Sequence, residues 1–231
     1  MKLNINGYSN TILKNINFEL KKNQNLIILG SNGAGKSTLA KVLCGITPST
    51  EVKINNQNLH QLNPKTRTKY INYIPAKLEI FDEYITLYEY LELSRLHTSI
   101  ESQSVLKLLD IEHLQNKSCQ QLSSGEQQLT MLATAVLHNA QITIFDEPTA
   151  NLDPQKSCDV FALLQSNHFQ TKVIITHDLT LAYRLGYDIL YIKEGEVSFF
   201  DNSKTFFETS NLDRYFGSSV TIIDNFVVVN L

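Results

Sequence analysis

Three segments of the chain are apolar, Thr143 aside, at successive rather than alternate positions: Leu26-Ile27-Ile28-Leu29, Ile142-Thr143-Ile144-Phe145 and Val173-Ile174-Ile175. A strand reads this way when both of its faces are buried, as in a parallel sheet covered by helices. Further strand-like runs fall at Leu3–Asn6, Ile12–Leu20, Val52–Ile54, Tyr70–Ile74, Ile189–Ile192 and Val197–Phe200. Between them the pattern turns helical, over Lys36–Cys44, Thr86–Leu96, Ser102–Leu109, Gly125–Leu137, Pro154–Gln165 and Leu179–Leu185. Alternating strands and helices predict an α/β doubly wound core. Two regions break the alternation. Residues 1–20 and the stretch around 50–60 read as hairpins of a small antiparallel sheet, and residues 77–137 carry helical patterns with almost no strand signal. The expected organisation is one domain over 1–231, with the core and antiparallel part in 1–76 and 138–231 and an inserted helical subdomain in 77–137.

Composition narrows the class. With 231 residues and 42% hydrophobic content the chain can bury a core, which excludes a wholly disordered protein. Twenty Lys and Arg against 23 Asp and Glu leave a net charge of −3, so no bulk basic field exists to hold nucleic acid. No apolar run approaches the ~18 residues needed to span a bilayer, and Met1–Asn6 lacks a secretory apolar region. A cytoplasmic protein is expected, with any membrane role supplied by a partner. Cys44, Cys119 and Cys158 are widely spaced without a C-x-x-C pair, and read as reduced small hydrophobes.

The first chemical motif is Gly30-Ser31-Asn32-Gly33-Ala34-Gly35-Lys36-Ser37-Thr38, which follows an apolar strand and opens a helix. It satisfies G-x-x-x-x-G-K-[ST] in the context that pattern requires. Glycines let the backbone curl so that successive N–H groups face phosphate oxygens, and the helix start adds its positive dipole end. Lys36 can reach the β- and γ-phosphates, and the Ser37 hydroxyl can ligate Mg²⁺. The second motif is the buried run Ile142–Phe145 ending in Asp146-Glu147-Pro148. Neighbours at a strand end point in different directions. Asp146 can then hold the metal while Glu147 polarises the attacking water as general base.

Three more segments distinguish among phosphate-loop proteins: Leu122-Ser123-Ser124-Gly125-Glu126-Gln127-Gln128, Pro148-Thr149-Ala150-Asn151-Leu152-Asp153, and Ile175-Thr176-His177-Asp178. Together they resemble the ATP-binding cassette (ABC) ATPases, over essentially the whole chain. The L-S-S-G-E stretch resembles the signature of that family, a variant of L-S-G-G-Q. The resemblance implies a P-loop NTPase (RecA-like) core with a small antiparallel β subdomain and an inserted α-helical subdomain. It also implies ATP and Mg²⁺ as ligands. Gly30, Ser31, Asn32, Gly33, Ala34, Gly35, Lys36, Ser37 and Thr38 would then bind phosphates, with Ser37 and Asp146 at the metal. Glu147 would be the catalytic base and His177 the switch histidine at the γ-phosphate. Ser123 and Gly125 would meet ATP held by a second copy, and Asp153 would belong to the loop joining the two sites. Tyr8 stands close to where the family places an aromatic on adenine; stacking and ordinary hairpin packing both suit it. One departure is Ala76, after Tyr73-Ile74-Pro75, where the family usually carries a Gln that contacts Mg²⁺ and water.

The same resemblance implies partners. One cassette without a membrane span suggests the ATPase subunit of a transporter, lying on the inner face of the cell membrane. It would work with integral permease subunits, an ATP-dependent second copy and, indirectly, an extracytoplasmic substrate-binding protein, and with no nucleic acid. His177-Asp178-Leu179 with Leu181-Ala182-Tyr183-Arg184 resembles prokaryotic importers. Leu212–Gly217 followed by a Val/Ile-rich strand resembles the tail of iron-chelate, hemin and cobalamin importer ATPases. A non-transport ABC ATPase, for instance in iron–sulfur cluster assembly, and a regulatory cassette are the alternatives. The apolar cluster at 78–87, with Leu78, Ile80, Phe81, Tyr84, Ile85 and Leu87, stands where family members form a permease groove; packing in the core of the helical subdomain is the alternative for part of it.

Overall fold

The computed structural model describes residues 2–80, 82–150 and 152–230. It divides into two compact units, one made of Met1–Leu62 with Val173–Leu231 and the other of Asn63–Lys172. The first begins with β1 (Leu3–Tyr8), β2 (Ile16–Leu20), β3 (Leu26–Gly30), α1 (Lys36–Leu43), β4 (Val52–Ile54) and β5 (Gln57–Asn58). Strands β2, β1, β4 and β5, in that order, form an antiparallel sheet with Leu3 opposite Leu20 and Ile54. Its strands alternate buried and open positions, so one face is packed and the other is wet. The expected strand from Ile12 begins only at Ile16. Upstream, Asn10 Oδ1 accepts from the N–H groups of Ile12 and Leu13, and Asn15 turns through φ 49°; both bend the chain out of extension.

The second unit holds α2 (Pro64–Tyr70), β6 (Ile71–Ile74), α3 (Leu87–Leu93), α4 (Ser102–Leu108), α5 (Ser124–His138), β7 (Ile142–Asp146) and α6 (Pro154–Gln165). Strands β6 and β7 pair in parallel, Ile71 opposite Ile142 and Ile74 opposite Phe145. Residues 77–137 contain helices and no strand among those described. Helix α5 is buried from Gln128 through Leu137 and packs against α3 and α4. At its C-terminal end the His138 ring meets His97 edge to face at 5.7 Å. Burial pushes both imidazoles below the ordinary value, and Lys69 and Lys65 add to this at His97. These histidines are packing residues.

The chain then returns to the first unit with β8 (Lys172–Ile175), α7 (Leu179–Leu185), β9 (Asp188–Lys193), β10 (Glu196–Asp201), α8 (Ser203–Phe206), α9 (Thr209–Phe216), β11 (Val220–Ile223) and β12 (Phe226–Val229). Strand β3 lies parallel to both β8 and β9, with Leu26 opposite Val173 and Asp188, and β10 runs antiparallel to β9. All five residues of β3 are buried, which explains its unbroken apolar run. Fully buried Phe206 anchors the tail through ring contacts with Phe199 at 5.1 Å and with Tyr191 and Tyr215 at 5.7 Å. The single strand expected after Gly217 is a hairpin, because Asp224 adopts φ 52° and reverses the chain. Cys44 and Cys119 are buried small hydrophobes as expected, whereas Cys158 is exposed on α6. Burial, aided by Glu89, pushes the Cys119 thiol up to about 11.

Candidate functional site

In the first unit the loop from Gly30 to Gly35 joins β3 to α1. Two of its glycines are required by geometry. A Cβ on Gly30 would sit 2.5 Å from the Ile192 carbonyl oxygen. Gly35 adopts φ 100° with its Cβ position 2.6 Å from Leu13 Cδ2, so a side chain would be both strained and blocked. Helix α1 begins at Lys36 with no side-chain cap and no acidic residue in its first turn. With no acidic side chain in that turn to offset it, the positive end of the helix dipole suits an anion. Lys36 is buried, and its Nζ donates to the carbonyls of Gly30 at 2.8 Å and Ser31 at 3.0 Å. The loop thus curls around its own ammonium. Ser31, Asn32, Gly33 and Ser37 are exposed, Thr38 is half-buried, and Ala34 is buried.

Tyr8 ends β1 and is only 7% exposed, and its hydroxyl accepts from Asn10 Nδ2 at 3.2 Å. Most of this ring is spent on packing. Ile12 is 45% exposed, and its Cγ2 lies 3.1 Å from the Cβ position of Gly35. Sequence reasoning placed Ile12 inside a strand and missed this apolar patch beside the loop. His177 is exposed just beyond β8. The Asp178 after it caps α7, its Oδ1 accepting from Leu181 N–H at 3.0 Å. Thr176, just before it, is pinned by a backbone bond to Ile28 O at 3.2 Å.

In the second unit Asp146 closes β7 and is 4% exposed. The Tyr73 hydroxyl on β6 donates to its Oδ2 at 2.9 Å, while its Oδ1 is buried with no hydrogen-bond partner among the described residues. A buried carboxylate oxygen left unbonded costs free energy unless a cation or donor meets it. Glu147 leaves the strand at φ 49° and is half-buried. Its carbonyl accepts from Ala150 N–H at 3.1 Å. Asp153 caps α6, accepting from Lys156 N–H at 2.9 Å; Asn151 lies outside the described residues.

The signature segment forms the start of α5 by a reciprocal cap. Ser123 Oγ accepts from Glu126 N–H at 3.4 Å, and Glu126 Oε2 accepts from Ser123 N–H at 2.6 Å. Lys117 Nζ also reaches Glu126 Oε2, at 2.9 Å. Burial would raise the Glu126 carboxyl, but the Ser123 N–H, Lys117 and the Ser123 hydroxyl together hold it below the usual range. The S-x-x-E spacing was readable as a cap from the sequence. Gly125 lies 3.6 Å, measured from its Cβ position, from Lys156 Nζ. Ala76 is exposed beyond β6. Of the apolar cluster, Leu87 is fully buried and Tyr84 is 86% exposed, while Phe81 lies outside the described residues.

A glycine loop curled onto a buried lysine ahead of a helix, and a buried strand ending in two carboxylates, define a nucleotide-hydrolysing α/β protein of the phosphate-loop class. Comparison with known proteins carries the assignment further. The model of the ABC transporter family matches residues 13–150, and the chain belongs to that family. It is 33% identical over 209 residues to the lipoprotein-releasing system ATP-binding protein LolD of Francisella tularensis, spanning 83% of this chain and 90% of LolD. It is also 33% identical over 174 residues to the zinc import ATP-binding protein ZnuC 1 of Aliivibrio fischeri, spanning 74% of this chain and 64% of that protein. Among solved structures, the ATP-binding cassette MJ0796, a dimer bound to ADP and Pi in a post-hydrolysis state, superposes with a TM-score of 0.75 at 26% identity. That match covers 87% of this chain and 98% of MJ0796. The chain is an ATP-binding subunit of the family and an ATPase. No helix among the described residues is long and apolar enough to cross a membrane.

Proposed function

We propose that this chain supplies ATP energy to a membrane transporter, as the peripheral subunit on the inner face of the membrane, bound to permease subunits. The observation that carries the chemistry is the end of β7, a buried Asp146 with one unbonded oxygen followed directly by Glu147. In this reading Gly30 through Thr38 cradle the phosphates, and Lys36 turns from the loop carbonyls to the β- and γ-phosphates. Asp146 Oδ1 and the Ser37 hydroxyl are hard oxygen donors of the kind Mg²⁺ prefers. Such an ion would neutralise phosphate charge. Glu147 accepts the proton of the attacking water, and His177 holds the γ-phosphate end of the site. Tyr8 contacts adenine, with packing and base contact sharing one ring. Ser123 and Gly125, at the start of α5, meet ATP bound by a second copy, so that two chains complete each site.

The transported substrate is set by the membrane subunits and a capture protein. The tail supports an importer of iron-chelate, hemin or cobalamin type by its sequence likeness at Leu212–Gly217, of which Leu212–Phe216 lies in α9, ahead of the β11–β12 hairpin. LolD and ZnuC 1 are named for lipoprotein release and zinc import, and neither name carries the iron-chelate, hemin or cobalamin reading. Copurification of the permease and transport assays on the assembled complex decide it. The ATPase assignment is tested by Glu147→Gln. Loss of a general base lowers kcat by ~10²–10⁴-fold, while ATP still binds and an ATP-loaded dimer accumulates in light scattering. Full turnover by this variant removes Glu147 from its role.

A further inference from the structure

We propose that Gln128 is a positioning residue for Glu147: its side-chain amide holds the turn that aims the general base. The proposal rests on the reading of Glu147 given above. Gln128 is 3% exposed, and its Nε2 donates to Pro148 O at 2.9 Å and reaches Glu147 O at 3.5 Å. Both acceptors are carbonyls, so only the NH₂ end of the amide can face them. The turn it grips is an unusual one. Glu147 bears a side chain yet sits at φ 49°, a region that residues other than glycine rarely enter. Residue 148 is proline and has no N–H with which to tie itself down. The Ala150 N–H closes the turn from one side, on Glu147 O, and Gln128 closes it from α5. With its backbone gripped at two carbonyls, the Glu147 side chain leaves the strand end in one direction.

The location of the donor matters. Gln128 stands on the second turn of α5, the helix whose first turn holds Ser123 and Gly125. One rigid helix therefore carries the residues proposed to meet the ATP of the second copy and the amide that fixes the base of its own copy. A shift of α5 on dimer closure would be felt at Glu147 through Gln128.

The test uses the full chain with Gln128→Met, close in length but without a donor, and Gln128→Lys, which keeps one. Glu147→Gln is run alongside. Steady-state kcat and KM for ATP are measured, with light scattering in ATP and Mg²⁺. Gln128→Met is expected to lose about 10²-fold in kcat, the scale for slight misplacement of a catalytic group, with KM within about threefold. It should also accumulate the ATP-loaded dimer as Glu147→Gln does, and Gln128→Lys should recover most of the lost kcat. A residue that merely stabilises the fold would lose the dimer instead of trapping it. Unchanged kcat, or equal loss of ATP binding and turnover, overturns the proposal. Should Gln128→Met not fold, Gln128→Asn, whose amide stops short of Pro148 O, must show the same split. If Glu147→Gln turns over normally, the reading of Glu147 falls and this proposal with it. If Glu147→Gln traps the dimer and Gln128→Met does not, only the role of Gln128 falls.

Discussion

Removing the Tyr73 hydroxyl should cost more than an ordinary tyrosine-to-phenylalanine change. Asp146 is 4% exposed; Oδ2 takes a 2.9 Å bond from Tyr73, and Oδ1 has no partner among the described residues. Tyr73→Phe leaves the carboxylate without a side-chain donor among the described residues. A hydrogen bond to a charged group contributes ~1.5–3 kcal/mol. For a chain of this size that corresponds to a fall in Tm of about 3–12 °C. The single variant mixes the pair with any other contact of either residue, so a double-mutant cycle is the right instrument. Urea unfolding of the wild type, Tyr73→Phe, Asp146→Ala and the double variant, without nucleotide at neutral pH, gives the coupling directly. The expected value is ~1.5–3 kcal/mol favourable. A coupling below ~0.5 kcal/mol, the level at which independent sites add, refutes the reasoning and returns Tyr73 to packing.

Two further outcomes concern stability. Glu126 has a lowered folded value, so its contribution is full above its unfolded value of about 4.3 and is lost as pH falls through the folded one. Glu126→Gln keeps the reciprocal cap but drops the Lys117 ion pair. It should cost up to ~1 kcal/mol at pH 7, with the gap closing in urea melts towards pH 3; a gap that widens in acid contradicts this. Thr143 is 1% exposed on β7, with Oγ1 buried and without a partner among the described residues. Thr143→Val should therefore raise stability by ~1 kcal/mol in thermal melts, and a loss there would mean that the hydroxyl is bonded after all.

What could be read from the sequence tracks how local the causing physics is. The run Leu26–Leu29 signalled β3 because burial on both faces removes alternation. Pro154–Gln165 and Leu179–Leu185 matched α6 and α7 end to end because Asp153 and Asp178 cap them. Helix α2 was missed although Asn63-Pro64 is a start signal: Asn63 Oδ1 accepts from Thr66 N–H at 2.8 Å, and proline suits the first turn. Its Lys65, Arg67 and Lys69 read as a solvated charge run because no residue of this helix is buried, leaving no apolar stripe to detect. The chemical motifs were legible for the opposite reason: a phosphate loop needs fixed residue types at fixed spacing. Tyr73 and Gln128 were not, because a hydroxyl or amide 73 or 20 residues away in sequence gains meaning only from its acceptor.

That contrast bears on why two adjacent carboxylates can do two jobs. The strand pleat alone would send Asp146 and Glu147 to opposite faces of β7, which was the expectation from alternation. The structure does more than the pleat. Asp146 is the last residue with strand geometry and stays buried, fastened by Tyr73 from the neighbouring strand. Glu147 is already outside the sheet, at a positive φ that an unsupported glutamate would avoid, with its carbonyl and that of Pro148 gripped from α5. The two side chains thus differ in burial and in what holds them, and they answer to different elements, β6 for one and α5 for the other. Disturbing β6 should therefore act first on the residue proposed at the metal, and disturbing α5 on the proposed base. The effects of Tyr73→Phe and Gln128→Met on nucleotide affinity and on turnover should accordingly separate.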